Sequence, residues 1–241
     1  MKKALIVGYG FVGKATEYFL TKYCSLQPEI YDPYLNMTHL ENEEWDFVFL
    51  CVPTNPKDGR LDVSILHEVY GKFAGEQIIR STIGPDQVDE FENPTMWPEF
   101  LREANWKDDV DNPQVNPIVG GGGEFGYWLQ FHALQDRMDV TRVEPKVASA
   151  FKLTRNAFLA AKVEFANITY DTVSKCGVKY NAIKQLLKLD KAIGGSHWEV
   201  PGPDGKRGFG GKCFPKDLSH FHSIVESPVT DTILSENKKR R

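Results

Sequence analysis

The residue types most suited to chemistry stand close together near the end of the chain. Cys213 lies in a segment flanked by glycines, with Lys212 and Lys216 beside it and Asp217 four residues later. Cationic neighbours favour the thiolate, which is the nucleophilic form of cysteine, and a carboxylate can act as a base or orient water. We therefore interpret Cys213 as a nucleophile in a loop. A small buried residue in a tight turn is the alternative.

The same segment also contains residues that a metal site would need. Asp217, His220 and His222 follow Cys213, but they have no recognised ligand spacing. The four cysteines of the chain form no C-x-x-C pair, which argues against a zinc site or a disulfide framework and for reduced thiols. We expect no metal, and a cytoplasmic protein.

Two pairs of polar residues share a four-residue spacing, which places each pair on one face of a helix. Lys152 and Asn156 form the first pair; in a cleft they could stabilise a developing oxyanion, although such pairs often face water. Glu99 and Glu103 form the second pair, on a helix that Pro98 would begin. The alternative for the glutamates is a solvated first helical turn.

A glycine-rich turn near the N-terminus indicates a dinucleotide site. Gly8, Gly10 and Gly13 form a G-x-G-x-x-G pattern after an apolar strand and before a helix, and Asp32 follows nineteen positions after Gly13. Such a turn lets the backbone approach a pyrophosphate, and the acidic residue accepts hydrogen bonds from a ribose diol while repelling a 2'-phosphate. We therefore predict NAD rather than NADP. The residues of this turn are Gly8, Tyr9, Gly10, Phe11, Val12 and Gly13.

Strands alternate with helices through the first half of the chain. The apolar segments Lys3–Val7, Asp46–Val52 and Gln77–Thr82, and a short strand that ends at Asp32, predict a parallel sheet. Ligands of such sheets lie beyond the carboxyl ends of the strands. Pro53 and Thr54 could equally form a plain turn. The residues at these ends that we expect to contact the cofactor are Val52, Pro53, Thr54, Ser81 and Thr82.

The second half of the chain changes character near Pro145. Residues 146–175 contain no glycine or proline, and Phe151, Phe158 and Phe165 recur every seven residues. This pattern predicts one long amphipathic helix, which ends at a glycine. A shorter helix and a glycine-rich segment follow it.

These elements define the fold class and the domains. We predict an α/β protein in which a Rossmann-type parallel-sheet domain, residues 1–144, precedes a small all-α domain, residues 145–228, built on the long helix. Residues 229–241 end in a basic run and are predicted to be a solvated tail. The length of 241 residues suits one large domain or two smaller ones.

Composition excludes several classes of protein. Hydrophobic residues make up 41% of the chain and charged residues 26%, which argues for a globular protein with a core and against a disordered chain. The formal net charge of -4 gives no reason to expect a nucleic-acid partner. No stretch approaches the roughly 18 apolar residues of a membrane span, so no membrane partner is predicted either.

Five motifs, taken together and in this order, resemble those of the nucleotide-sugar 6-dehydrogenases, which include UDP-glucose and GDP-mannose dehydrogenases. The motifs are GYGFVG, CVPTNP, PEFLRE, FKLTRNAFLAAK and GFGGKCFPKDL. The resemblance extends to about residue 222. Full-length members have a third, C-terminal α/β domain that helps to bind the nucleotide, and we expect this chain to lack it.

The resemblance implies a reaction. Such enzymes oxidise the C6 alcohol of a UDP- or GDP-linked sugar to a carboxylate with two NAD+, in nucleotide-sugar metabolism and polysaccharide biosynthesis. Cys213 would add to the aldehyde intermediate, a second hydride transfer would give a thioester, and water would release the acid. A homodimer through the long helix is also expected.

The resemblance also implies roles for the other candidates. Lys152 and Asn156 would stabilise oxyanions. Asp217, with Thr82, would position water or take the alcohol proton, and Glu99 would assist hydrolysis of the thioester. The remaining implied contacts are Glu103 near the nicotinamide and, around the sugar, Phe100, Leu101, Gly208, Phe209, Gly210 and Gly211.

The chain departs from the family at several positions. The family's Asp-x-Arg-Ile-Gly segment reads Asp-Lys-Ala-Ile-Gly at residues 190–194, and Ser149 stands where an acidic residue is usual. Two alternatives stay open. One is an NAD-dependent two-electron dehydrogenase of a hydroxy acid, and the other is a non-catalytic module that binds a dinucleotide.

Overall fold

The computed structural model describes residues 2–135 and 139–241. Their contacts form two compact units: the first comprises Met1–Asn55 and Leu61–Lys152, and the second comprises Pro56–Arg60 and Leu153–Arg241. The second unit thus begins later in the chain than the predicted boundary after residue 144, and it includes one short segment from the N-terminal half.

Of the nine strands found in the described residues, seven form one sheet, and the other two pair with each other. In chain order the strands are β1 Ala4–Val7, β2 Glu29–Tyr31, β3 Glu44–Leu50, β4 Pro56–Lys57, β5 Arg60–Leu61, β6 Ala74–Ile79, β7 Thr95–Met96, β8 Ile118–Gly120 and β9 Thr141–Val143. The order in the large sheet is β2-β1-β3-β6-β7-β8-β9, and only the β7–β8 pair is antiparallel. The predicted Rossmann-type parallel sheet is confirmed.

Helices cover both faces of this sheet, because its central strands are apolar at successive positions and must be buried on both sides. All four residues of β1 are buried, as are the last four of β3. Ile6, Phe47 and Phe49 face one helical layer, and Leu5 and Val48 face the other. The helices of this unit are α1 Phe11–Cys24, α2 Ser64–Val69, α3 Trp106–Asp111 and α4 Glu124–Gln135.

The second unit is mainly helical. Its helices are α5 Pro145–Lys175, whose first residues belong to the first unit, α6 Tyr180–Leu189, α7 Cys213–Val225 and α8 Pro228–Arg240. The predicted long helix is therefore confirmed as α5. Ala157, Ala160, Phe209 and Leu218 form a small buried cluster between α5 and α7. Within the described ranges, no helix has the length and apolar character that a membrane span requires.

The predicted solvated tail is wrong, because residues 228–240 form helix α8. Ser227 caps this helix by accepting a hydrogen bond from Val229 N, and a proline occupies its first turn. Near the other end of α8, the Arg240 guanidinium donates to the buried Glu164 carboxylate and to Asp171 on α5. Arg240 of the basic run is therefore held by carboxylates of the long helix, which local charge patterning could not reveal.

The pair between Arg240 and Glu164 gives a test of how α8 is held. Only 3% of the Glu164 side chain is exposed, and its Oε2 atom has no hydrogen-bond partner among the described residues. Arg240→Met should lower the free energy of unfolding by about 3 kcal/mol, because it leaves a buried charge without its cation. Urea denaturation monitored by circular dichroism measures this loss.

Lys239→Met is the matched control, since the Lys239 side chain is 70% exposed and its ion-pair partner is Glu236 in the same helix. It should change the free energy of unfolding by less than about 0.5 kcal/mol. Equal effects of the two substitutions would show that α8 does not depend on the buried pair.

Candidate active site

The glycine turn has the geometry that the sequence predicts. Gly8 has a φ of +90°, and a Cβ atom there would lie 2.8 Å from the Cys51 carbonyl oxygen. A Cβ atom at Gly13 would lie 2.2 Å from the Gly8 carbonyl oxygen, so the helix can approach the turn only with glycine there. Gly10, in contrast, faces open space within 4 Å and is the N-cap of α1, where no described side chain caps the helix. These features leave backbone N–H groups accessible to an anion.

Asp32 directly follows β2, as predicted, and its carboxylate is already bound to the backbone. One oxygen accepts a hydrogen bond from Tyr9 N at 2.8 Å, and the other accepts from Tyr34 N and Leu35 N at 3.0 and 3.3 Å. Asp32 therefore joins the glycine turn to the short 3-10 helix Pro33–Leu35. This structural role was not predicted.

The structure brings together the segments that follow β3 and β6. The Ser81 hydroxyl donates to the Val52 carbonyl at 2.7 Å, and the Thr54 hydroxyl donates to the Thr82 carbonyl at 2.7 Å. Both strands end before these residues, so the expected cofactor contacts lie just beyond the carboxyl edge of the sheet. Pro53, between them, is exposed.

Glu99 and Lys152 form a buried ion pair in the first unit. Lys152 Nζ donates to Glu99 Oε1 at 2.8 Å and to the Glu99 carbonyl at 2.6 Å, while Leu101 N donates to Glu99 Oε2 at 2.7 Å. Both side chains are 5% exposed. Burial alone would raise the pKa of Glu99, but the Lys152 charge and these hydrogen bonds outweigh it and hold that pKa below its ordinary value.

The predicted helix beginning at Pro98 is wrong. Residues 97–102 have no regular secondary structure, and Glu103 begins a 3-10 helix, so Glu99 and Glu103 do not share a helix face. Glu99 is buried whereas Glu103 is exposed. The Phe100 ring packs against Phe151, with ring centroids 5.6 Å apart. The ion pair between Glu99 and Lys152 therefore outweighs the tendency of Pro98 to begin a helix.

Arg80 is a residue of this site that sequence reasoning missed. It directly follows β6, is 6% exposed, and donates to the Thr16 hydroxyl at 3.2 Å and to the Trp97 carbonyl at 3.0 Å. Burial lowers its pKa to about 10. The guanidinium thus links α1, which follows the glycine turn, to the segment that carries Glu99. The sequence signal that could have indicated Arg80 is an arginine at the end of an otherwise apolar strand.

Cys213 is the first residue of α7, not a loop residue as predicted. Helix N-termini favour thiolates, because their N–H groups and partial positive charge face the sulfur. Pro215 in the first turn of the helix was the sequence signal that this helix begins here. The cysteine is partly exposed.

Asp217 lies one helical turn after Cys213 and is completely buried. Its Oδ2 accepts a hydrogen bond from Asn156 Nδ2 at 2.6 Å, and its Oδ1 accepts from Lys216 Nζ at 2.6 Å. The structure therefore brings two predicted residues of the second unit, Asn156 and Asp217, into direct contact. A buried carboxylate with both oxygens bound has a fixed orientation, which a positioning or proton-transfer role requires.

The Gly208–Gly211 segment is fixed by asparagines that sequence reasoning missed. Gly208 N donates to Asn167 Oδ1 at 3.3 Å, and Phe209 exchanges hydrogen bonds with the Asn237 amide at 2.7 and 3.0 Å. The Phe209 side chain is buried in the core, so only backbone and glycines of this segment can face a ligand. Across the described residues, no cluster of three His, Cys, Asp or Glu is placed to hold a metal ion.

Comparison with known proteins shows which proteins this chain resembles. Residues 146–239 match the model of the UDP-glucose/GDP-mannose dehydrogenase family, central domain. A UDP-glucose 6-dehydrogenase from Rickettsia bellii is 29% identical over 234 residues, which cover 86% of this chain and 53% of that protein. This chain is similar to UDP-glucose and GDP-mannose dehydrogenases over most of its length. It spans about half the length of the curated relatives it matches.

Solved structures show the same fold in this family and beyond it. The UDP-glucose dehydrogenase from Pyrobaculum islandicum has a TM-score of 0.80 and 22% identity, and the match covers 99% of this chain and 68% of that one. The 3-hydroxyisobutyrate dehydrogenase from Mycobacterium tuberculosis has a TM-score of 0.71 and 16% identity, with 99% and 93% covered. At these identities the likeness concerns the fold alone.

The buried pair of Glu99 and Lys152 predicts a pH dependence of stability. Because its folded-state pKa lies below the ordinary 4.5, Glu99 stabilises the fold above pH 4.5, and this contribution is lost as the pH falls through the folded-state pKa. Glu99→Gln should therefore lower the free energy of unfolding by about 3 kcal/mol at pH 7, and by much less at pH 3. Urea denaturation at several pH values measures both.

Asp89→Asn is the control, because the Asp89 side chain is 74% exposed in its ion pair with Lys146 of α5. Its effect should stay below about 1 kcal/mol at every pH. A Glu99→Gln effect that is the same at pH 7 and pH 3 would contradict the assignment of a charged, stabilising Glu99.

Proposed function

We propose that this chain is an NAD-dependent dehydrogenase that oxidises the C6 alcohol of a UDP- or GDP-linked sugar to a carboxylate through a Cys213 thioester. The main support is the similarity to UDP-glucose/GDP-mannose dehydrogenases together with Cys213 at a helix N-terminus. Further support comes from two buried polar pairs, the ion pair of Glu99 with Lys152 and the hydrogen-bonded pair of Asp217 with Asn156. A purely structural role at the protein surface would not require either of these buried pairs.

The residues of the glycine turn fit a dinucleotide. The open space beside Gly10 and the N–H groups that begin α1 suit a pyrophosphate, and Asp32 has room for one further acceptor bond, to a ribose hydroxyl. Bound NAD+ would supply the hydride acceptor. The residues that would surround it beyond the turn are Val52, Pro53, Thr54, Ser81, Thr82 and Glu103.

Cys213 would carry the covalent chemistry. After the alcohol loses a hydride and a proton, the thiolate sulfur adds to the carbon of the aldehyde, and the carbonyl oxygen becomes the oxygen of a thiohemiacetal. Loss of a second hydride from that carbon gives the thioester. Water then adds, the C–S bond breaks, and the carboxylate leaves with the thiol restored. The covalent bond retains the aldehyde between the two oxidations.

Lys152 and Asn156 would stabilise the negative oxygen in these steps. A fixed donor of this kind typically contributes a few kcal/mol to the transition state, about 3 kcal/mol per donor. Glu99 pairs with the Lys152 ammonium group, and Asp217 orients the Asn156 amide. Asp217, with Thr82, would also hold water or accept the alcohol proton, and Glu99 would assist hydrolysis.

The sugar would lie against exposed backbone rather than large side chains. Phe100 and Leu101 follow Glu99 in the irregular segment, and Gly210 precedes Cys213. We place the protein in the cytoplasm, where nucleotide sugars and NAD occur, in the supply of acidic sugars for polysaccharide biosynthesis. The remaining expected members of the sugar site are Gly208, Phe209 and Gly211.

Exposed apolar side chains on the long helix α5 support a homodimer. Phe158 and Phe165, two turns apart on α5, are 67% and 61% exposed, and Val147 and Ile168 are also exposed. A row of large apolar side chains along one helix face is the surface that a second copy would cover. We therefore propose a dimer in which α5 of each copy contributes this row.

The thioester step predicts both stoichiometry and loss of function. With UDP-glucose, GDP-mannose and UDP-N-acetyl sugars as candidates, the productive substrate should yield two NADH per acid. Cys213→Ser should lower acid formation by at least about 1,000-fold, because a serine hydroxyl is not ionised at neutral pH. NADH absorbance and mass spectrometry of the sugar product measure the two quantities.

Cys176→Ser is the control, because Cys176 is an exposed free thiol at the end of α5. It should retain full activity. One NADH per product with Cys213→Ser fully active would assign the two-electron reaction of a hydroxy-acid type instead. NAD binding without any turnover would assign a binding module.

The dimer predicts the effect of a charge on the long helix. Phe158→Glu combined with Phe165→Glu should convert a dimer to a monomer of 27.3 kDa, because two carboxylates per copy would be buried in the interface. Size-exclusion chromatography with light scattering measures the mass. Tyr34→Glu is the control, since Tyr34 is 90% exposed and lies outside α5. A monomeric wild-type chain would refute the proposed dimer.

A further inference from the structure

The glycine-rich segment before Cys213 has two backbone donors that the protein itself does not use. Gly208 N and Phe209 N donate to Asn167 and Asn237, but Gly210 N and Gly211 N donate to no acceptor among the described residues. Both glycines are at least partly exposed. Two successive free N–H groups are suited to the oxygens of an anion.

The Arg241 guanidinium lies directly against this segment. A Cβ atom built on Gly210 would fall 1.2 Å from Arg241 Nη2 and 2.3 Å from its Cζ, so the guanidinium occupies the space that any other residue at 210 would fill. Gly210 does not have a positive φ, so backbone conformation does not demand glycine there. The atoms that lie against Gly210 are the far end of the flexible Arg241 side chain, so the guanidinium can move from this position.

Asp204 holds the guanidinium in this position. Its Oδ2 accepts from both Nη1 and Nη2 of Arg241 at 2.6 Å. A guanidinium has five N–H donors, and in the described part of the chain the remaining donors of Arg241 have no acceptor. Because 46% of the Asp204 side chain is exposed, the pair is weak and an incoming anion can share or replace it.

The surroundings have the charge that a polyanion requires. Residues 201–212, the part of the loop nearest to Cys213, contain Lys206, Arg207 and Lys212 as cations and Asp204 as the one carboxylate. Lys206 and Lys212 are exposed. Guanidinium groups bind phosphate oxygens with paired hydrogen bonds, and neighbouring backbone N–H groups bind the adjacent phosphoryl group.

We propose that Arg241, together with the N–H groups of Gly210 and Gly211, binds the diphosphate of a nucleoside diphosphate, with Asp204 as the competing internal anion. The inference rests on the proposed function for the identity of the ligand. It assigns a substrate-binding role to a residue outside the five motifs. In the absence of ligand Asp204 keeps the guanidinium on the loop, and in its presence the guanidinium turns toward the phosphates.

Calorimetric titration with UDP and GDP tests the proposal without relying on turnover. Arg241→Gln should weaken binding of the preferred nucleotide about tenfold, because it removes a charge-assisted pair of hydrogen bonds. Asp204→Asn should strengthen binding about threefold, because it removes the competing carboxylate. Lys239→Gln removes the same charge from the same end of the chain, and should change the affinity by less than about twofold at 0.15 M salt.

Gly210→Ala provides a second, independent variant. The methyl group would displace the guanidinium, so this variant should also lose about tenfold in affinity, and the double variant Gly210→Ala/Arg241→Gln should lose no more than either single one. Equal affinities of Arg241→Gln and Lys239→Gln, weaker binding by Asp204→Asn, or no binding of either nucleotide to the wild-type chain would overturn the proposal. Arg241-dependent binding without NADH formation would instead refute the proposed function and leave this inference standing.

Discussion

The buried ion pair between Glu99 and Lys152 is the interaction on which the first unit's site depends. A carboxylate and an ammonium group that are both 5% exposed can stay charged only if each compensates the other. Lys152 also donates to the Glu99 carbonyl, so the pair fixes a backbone segment that has no secondary structure of its own. Helix α5 thereby holds residues 97–102 in place, as the hydrogen bonds of a regular strand or helix would otherwise do.

A second pair follows the same rule in the other unit. Asp217 has no exposure, and both its oxygens are bound, one to an amide and one to an ammonium group. The two pairs share α5, which supplies Lys152 to one and Asn156 to the other, one helical turn apart. In both cases the residue for which we propose a chemical role is oriented by a buried partner of fixed geometry, and this limits its motion.

Sequence reasoning was most successful where the pattern is local and periodic. The glycine turn, the long helix α5 and the ends of β3 and β6 all follow from spacing and polarity within a few residues. It failed where a contact between residues that are distant in sequence determines the local structure. Glu99 lies 53 residues from Lys152, and this contact replaces the helix that Pro98 suggested. Arg240 lies 76 residues from Glu164, and this contact turns an apparent tail into part of the fold. The helix start at Cys213 could have been predicted from Pro215.

The carboxylate of Asp32 has a consequence for any change of cofactor preference. In many dinucleotide-binding proteins the acidic residue after the second strand is the position that distinguishes the two forms of the ribose. Here the same carboxylate also accepts hydrogen bonds from Tyr9, Tyr34 and Leu35, so it closes the turn that would hold the pyrophosphate. The selectivity that we propose for Asp32 and the shape of the turn are therefore coupled in a single side chain. Evolution or design can alter one only by rebuilding the other.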